Sequence, residues 1–240
     1  MRTVLDVIAR VAEITRYPVK SMAGERRAAA EIDWQGIEGD RQYGFVRRGN
    51  ATRFLWLTGR DYAGLVRYRP RYDDPERPRT SPVMVEMPAG QRWPLHDPRL
   101  QEDLEANSGL AVDLLQLGIG AYDLMPLSLV TTASLARLDR LHGSSLDRRR
   151  FRTNIVIDSD GYEDAWQGRR LRLGSGDDAA VLLLADLAPR CAMVTIDPDT
   201  AERDPRVLPT VARECGNAFA MYASVARPGW VREGDAVAVV

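Results

Sequence analysis

One cysteine heads the run Arg190-Cys191-Ala192-Met193-Val194-Thr195-Ile196-Asp197-Pro198-Asp199-Thr200, a basic, strand-like segment that ends in a tight turn. A thiolate is a soft donor suited to transition metals, and the neighbouring arginine favours the ionised sulfur, so Cys191 is the candidate metal ligand and catalytic residue. A free cysteine on an alternating segment is just as ordinary in an apolar core. Three other groups have the side chains for binding an anion. Lys20 and Ser21 follow Tyr17-Pro18-Val19 where a strand should end, Arg41 follows the turn residues Gly39-Asp40, and Arg148-Arg149-Arg150-Phe151-Arg152 leads into Asn154 and an apolar run to Asp158. Lysine offers a point charge, arginine a planar fork matched to phosphate, and an asparagine amide both donates and accepts. Alternation would turn Arg152 and Asn154 to one side. Each group taken singly also reads as solvated charge, and the arginine run around Phe151 is compatible with nucleic-acid contact.

Thr131-Thr132-Ala133-Ser134 opens a predicted helix, where hydroxyls cap free amides and where the same N–H groups can hold a phosphate. Arg137, one turn beyond Ser134, would add charge to such a site, and Tyr222, on an alternating strand, would close its mouth. Cys215 falls at a predicted helix end and reads as a small core residue. His96 and His142 flank helix termini and do not form a metal-like pair. No nucleophilic serine elbow, GxGxxG or P-loop occurs, so hydrolase, dinucleotide and nucleotide-phosphate chemistry lack their usual marks.

The elements that must position these residues read mostly as strands. Residues 7–16, 28–34, 41–48 and 83–87 are short apolar runs bounded by turn residues, and 112–117, 154–158, 171–173, 179–184, 191–196, 217–225 and 236–240 continue the pattern. Helices are predicted from Asp97-Pro98 to Gly109, from Thr132 to His142 before Gly143, and from Pro205 to Cys215 before Gly216. The charged stretch 67–82 reads as an exposed loop. Strands throughout with helices between them imply an α+β fold, predominantly β, built on a barrel or strongly curved sheet.

At 240 residues, 45% hydrophobic and 28% charged, the chain can bury one large core or two packed ones. A net charge of −1 argues against a protein built around nucleic acid, so an anion site has to be local. No apolar stretch is long enough to span a bilayer, and the opening Met1-Arg2-Thr3-Val4-Leu5-Asp6 is too broken by charge for a secretory signal, so no membrane partner and a cytoplasmic location are expected. Two cysteines allow at most one disulfide, and reduced thiols are expected.

Tyr17-Pro18-Val19-Lys20-Ser21, Gly39-Asp40-Arg41, Arg150-Phe151-Arg152-Thr153-Asn154-Ile155-Val156-Ile157-Asp158 and the Cys191 run together resemble the MOSC family, in its amidoxime-reducing branch, from about Val7 to Val240. The resemblance implies a MOSC-type β-barrel with an N-terminal β domain and a few short helices. It divides the chain into residues 1–110 and 111–240, which share one cofactor cleft. It implies the molybdenum cofactor (Mo-molybdopterin), Cys191 as the thiolate on the metal, and Lys20, Ser21, Arg41, Thr132, Ser134, Arg137, Arg152, Asn154, Arg190 and Tyr222 as cofactor-binding residues. The implied activity is reduction of N-hydroxylated substrates such as amidoximes, hydroxylamines or N-hydroxylated bases, with electrons from a separate flavin, haem or iron–sulfur protein. A non-catalytic carrier of the cofactor, or a protein of its sulfuration, is the alternative, and a nucleic-acid-binding barrel the weaker rival.

Overall fold

Side chains two residues apart, Val11 with Ile14 across a bulge, then Leu127 and Leu129, Ile155 and Ile157, Leu171 and Leu173, Ala180, Leu182 and Leu184, Met221 and Ala223, meet in one buried core. That period of two dictates strands with one face turned inward. In the computed structural model, which describes residues 6–52 and 54–240, seven strands close into a barrel. Their spatial order is Ile155–Asp158, Leu127–Thr131, Ala218–Arg227, Ala180–Pro189, Arg170–Leu173, Ala236–Val239 and Val7–Arg16, the last pairing back onto Ile155–Asp158. Met1–Leu5, most of the opening read as non-secretory, and Arg53 lie outside the described residues.

The first strand supplies the closure. Ile14 pairs with Ile155 on one side, while Val7 pairs with Ala238 on the other, and a register shift between Val11 and Glu13 bends the strand. Leu127–Thr131 and Ile155–Asp158 run parallel, which requires a crossover, and helix α2, Thr132–His142, provides part of it. Helix α3, Val207–Cys215, packs beside α2, and Phe151, Val194, Val207, Val211 and Phe219 form a smaller core between these helices and the barrel.

A second core lies around Val19, Phe45, Leu57, Tyr68, Tyr72, Val85, Leu100 and Leu104. It is enclosed by the pair Tyr43–Arg47 and Val112–Gln116, a meander of Arg69–Tyr72, Val83–Glu86 and Arg92–Pro94, and helix α1, Pro98–Ser108. The α1 signals hold as read: Asp97 accepts from Arg99 N, and Gly109 takes the left-handed conformation, φ 70°, that ends the helix.

Two local expectations are corrected. The stretch 67–82 is not loop throughout, because Arg69–Tyr72 is a strand whose arginines face out while Pro70 and Tyr72 are buried. Cys191–Ile196 is not a strand: the barrel strand stops at Pro189, which lacks an N–H, and Ala192–Thr195 form a 3₁₀ turn closed by Val194 N donating to Cys191 O at 3.1 Å. No helix among the described residues is long and apolar enough to cross a membrane.

Candidate functional site

Residues from both ends of the chain line a cavity of about 520 Å3, among them Lys20, Ser21, Arg41, Arg152, Asn154, Arg190, Cys191 and Tyr222. The turn after the first barrel strand brings Lys20 in, since its N–H donates to Tyr43 O at 2.8 Å. Ser21, Arg41 and Arg152 have positive φ, 64°, 51° and 52°, a conformation that costs non-glycine residues of order 1–3 kcal/mol and that gathers at functional sites. Arg152 thus reaches the cavity from a left-handed residue ahead of the strand, not by the alternation expected from sequence, because the strand starts only at Ile155.

The cations here are held mainly by carbonyl oxygens. Arg152 Nη1 donates to Met22 O at 2.6 Å, and Arg190 donates through Nε to Phe219 O at 2.7 Å and through Nη1 to Phe151 O at 3.0 Å. In each, Nη2 is buried without a hydrogen-bond partner. Desolvation lowers both pKa values to about 10, with nearby Tyr17 opposing it at Arg152 and Tyr222 at Arg190, so both remain charged at neutrality. Arg41 is paired with Asp40 and donates to Arg152 O at 3.0 Å; desolvation works against its charge, but Asp40, Tyr17 and Tyr122 together outweigh it and raise the pKa. The Tyr17 ring lies against both guanidinium groups, 4.8 Å from Arg41 and 4.4 Å from Arg152, and softens their repulsion. Burial pushes the Tyr17 hydroxyl up to about 12, and it donates to Thr153 O.

Lys20 Nζ donates to Ala121 O at 2.7 Å and to Asp123 Oδ1 at 2.8 Å. Desolvation lowers the Lys20 pKa, with Asp123 opposing, whereas Lys20 overcomes desolvation at Asp123 and holds that carboxyl low. Asn154 is 1% exposed. Its Oδ1 accepts from Ser128 N at 3.2 Å and Arg41 Nη1 at 3.3 Å, while Nδ2 donates to Thr15 O at 3.2 Å. With its amide so engaged, Asn154 ties three segments together beneath the cavity. The Tyr222 hydroxyl has its pKa raised by desolvation, Arg190 opposing.

Thr132, Ser134 and Arg137 do not line this cavity. Thr131 Oγ1 accepts from Ser134 N as the helix cap, and the hydroxyls of Thr131 and Ser134 both donate to buried Glu163. Thr132 donates to Asp158 and Ser159, and Arg137 lies over the Tyr162 ring, beside a separate small cavity that also contains Ser134 and Cys215. The structure shows the capping role, and a helix cap carries the same sequence signal as a phosphate loop. Cys215 is half-buried and burial raises its thiol pKa. His142 is buried with Nε2 3.2 Å from Asp204, and His96 meets the Tyr43 ring edge-on. The sequence reading missed Phe54, Trp56, Arg60 and Tyr122–Met125, which also line the cavity; the alternation Phe54, Trp56, Thr58 was the available signal.

An exposed thiol therefore shares a cavity with Lys20, Arg41, Arg60, Arg150, Arg152 and Arg190, faced by one lining carboxylate, Asp123. Among the described residues no group of three His, Cys, Asp or Glu side chains is placed to hold a metal ion. Cys191 can accordingly serve a metal only as one ligand beside donors that a bound group brings with it. The buried, unpartnered guanidinium nitrogens suit the phosphate of such a group, so the residues fit an anionic, metal-carrying cofactor.

The MOSC domain model matches residues 119–238, and the model of the MOSC N-terminal beta barrel domain matches residues 8–110. Mitochondrial amidoxime reducing component 2 of Homo sapiens is 33% identical over 130 residues, covering 48% of this chain and 37% of the relative. The protein of the same name from Macaca fascicularis is 31% identical over the same shares. The aligned region thus spans little more than a third of these relatives. The crystal structure of the YUAD protein from Bacillus subtilis superposes with a TM-score of 0.52 at 14% identity, covering 96% of this chain and 94% of that one, and shows a common fold. With one family model over half its length and the companion model over most of the rest, the chain belongs to the MOSC domain family.

Proposed function

We propose that the cavity binds the molybdenum cofactor and that the protein is a molybdenum-dependent oxidoreductase reducing N-hydroxylated compounds. The observation that carries this reading is the exposed Cys191 thiol in the same cavity as Arg152 and Arg190, each with a buried nitrogen free for an anion. Arg152, Arg190 and Lys20 hold the phosphate end, Arg41 and Ser21 the adjoining wall, and Cys191 is the protein's thiolate ligand. Asn154 supports them from beneath. When bound, the cofactor supplies two-electron chemistry. Reduction of an N–OH group takes two electrons and two protons and yields N–H and water. The electrons come from a separate flavin, haem or iron–sulfur protein, and the substrate is a small amidoxime, hydroxylamine or N-hydroxylated base. The name of the matched relatives supports the substrate class. The division of labour near residue 110 and a cytoplasmic location belong to the same proposal; the relatives themselves are named as mitochondrial.

The test is Cys191→Ser, assayed with a chemical reductant so that a missing electron donor does not mask turnover. Loss of amidoxime reduction in a folded, pterin-containing variant supports the reading, while turnover equal to wild type removes Cys191 from it. Exposure of the thiol also favours a second reading, a carrier or sulfuration protein, which predicts a persulfide on Cys191 and firm cofactor binding with no reductase activity.

A further inference from the structure

We infer that Trp56, with Phe54 beside it, is the substrate-selecting wall of the cavity and favours flat, uncharged N-hydroxylated compounds conjugated to an aromatic ring over their alkyl counterparts. The inference rests on the reductase reading above and names its substrate more narrowly.

The wall is built by strand alternation. Residues 54–58 run beside Tyr43–Arg47, with Arg47 N donating to Leu55 O at 2.9 Å and Leu57 N to Phe45 O at 2.8 Å. Leu57 is buried in the second core, so Phe54, Trp56 and Thr58 are left to line the cavity. Gly44 lets the indole lie where it does, since a Cβ there would stand 2.7 Å from Trp56 Cζ3. Phe54 is fixed through its carbonyl, which accepts from Arg47 Nη2 at 2.7 Å and Asn50 Nδ2 at 2.9 Å.

The same segment is fastened to the turn that carries Cys191. Arg203 donates to Gly59 O at 2.7 Å and to Ala192 O at 3.4 Å, and a Cβ on Gly59 would come 2.6 Å from Met193 Sδ. An aromatic surface and the thiol are therefore held in a fixed relation before any substrate arrives. A rigid indole face stacks on flat π systems at little entropic cost. Charge restricts the choice further: Arg60 lies 4.4 Å over the Phe54 ring centroid, so a cationic compound is repelled where a neutral ring is accepted.

The experiment measures dissociation constants of benzamidoxime and acetamidoxime on the purified protein by calorimetry, with no electron donor present. Wild type should favour the aryl compound. Trp56→Leu and Gly44→Ala should each cut that preference roughly three- to tenfold, while Trp56→Phe keeps most of it. An unchanged preference in both Trp56→Leu and Gly44→Ala, or no preference in wild type, overturns the inference. Should Trp56→Leu fail to fold, Gly44→Ala and Trp56→Phe decide it. A protein that prefers the aryl compound yet reduces neither would lose the reductase reading and keep the wall; one that reduces both without preference would do the reverse.

Discussion

Arg152 and Arg190 are the residues best placed to bind an anion, because each is charged, half-buried, and keeps Nη2 buried without a partner. Arg150 differs in which nitrogen is left over: its Nε is buried without a partner, but both terminal nitrogens, the fork that faces a phosphate, already donate to Thr195 O and Asp197 at 2.8 Å. Arg152→Ala and Arg190→Ala should therefore weaken cofactor retention by about tenfold or more each, a charge-assisted hydrogen bond being worth ~1.5–3 kcal/mol, and Arg150→Ala by less. Pterin retained after gel filtration checks this, and equal losses at all three positions would contradict it. The pH dependence follows from the same groups. Desolvation lowers the pKa values of Lys20, Arg152 and Arg190, the latter two to about 10. The charged forms of Arg152 and Arg190 are complete at neutrality and are lost as pH rises through about 10. The affinity for sulfate, a dianion throughout this range, should thus be level near neutrality and fall toward pH 10, with proton uptake on binding in that range, measured by calorimetry in buffers of different ionisation enthalpy. At this scale the sequence announced Lys20, Arg41, Arg152 and Cys191 by type and context. Phe54 and Trp56 escaped it, since their place depends on Gly44 and on a pairing partner that no local pattern reveals.

Elements with strong punctuation were legible, and those without it were not. The helices α1 and α2 were read closely from Asp97-Pro98, Gly109 and Gly143, because caps are local chemistry. Leu127–Thr131 was overlooked: all five residues are buried, so the run lacks the alternation by which a half-buried strand is recognised. Arg69–Tyr72 was hidden by its outward arginines. The expected phosphate loop at Thr131–Ser134 turns instead to Glu163, which is 3% exposed and accepts from both hydroxyls. Ser134→Ala should destabilise the fold by about 1–3 kcal/mol in urea unfolding, through loss of one buried hydrogen bond to Glu163, without releasing pterin. Asn154→Ala should cost about 1–3 kcal/mol, because Ser128 N and Thr15 O lose buried partners, and should release pterin as well by freeing Arg41. Pterin loss in Ser134→Ala, or none in Asn154→Ala, would place the phosphate site elsewhere.

The whole molecule is interwoven: the strand Val7–Arg16 closes the barrel built by residues 127–239, and Val11 and Ile14 lie in its core. Residues 111–240 expressed alone should consequently fail to fold, leaving two strand edges open and part of the core missing, and circular dichroism with size-exclusion chromatography reports this. A cooperative, monomeric barrel from those residues would contradict it. Interweaving also explains how a chain of net charge −1 carries so cationic a cavity, since Lys20, Arg41, Arg152 and Arg190 come together only when the barrel closes. Cofactor binding is tested most directly by the molybdenum and pterin content of the folded protein purified from a host that makes the cofactor. About one molybdenum and one molybdopterin per chain are expected, since Cys191 lines a single cavity. Folded protein from that host with neither metal nor pterin would contradict it.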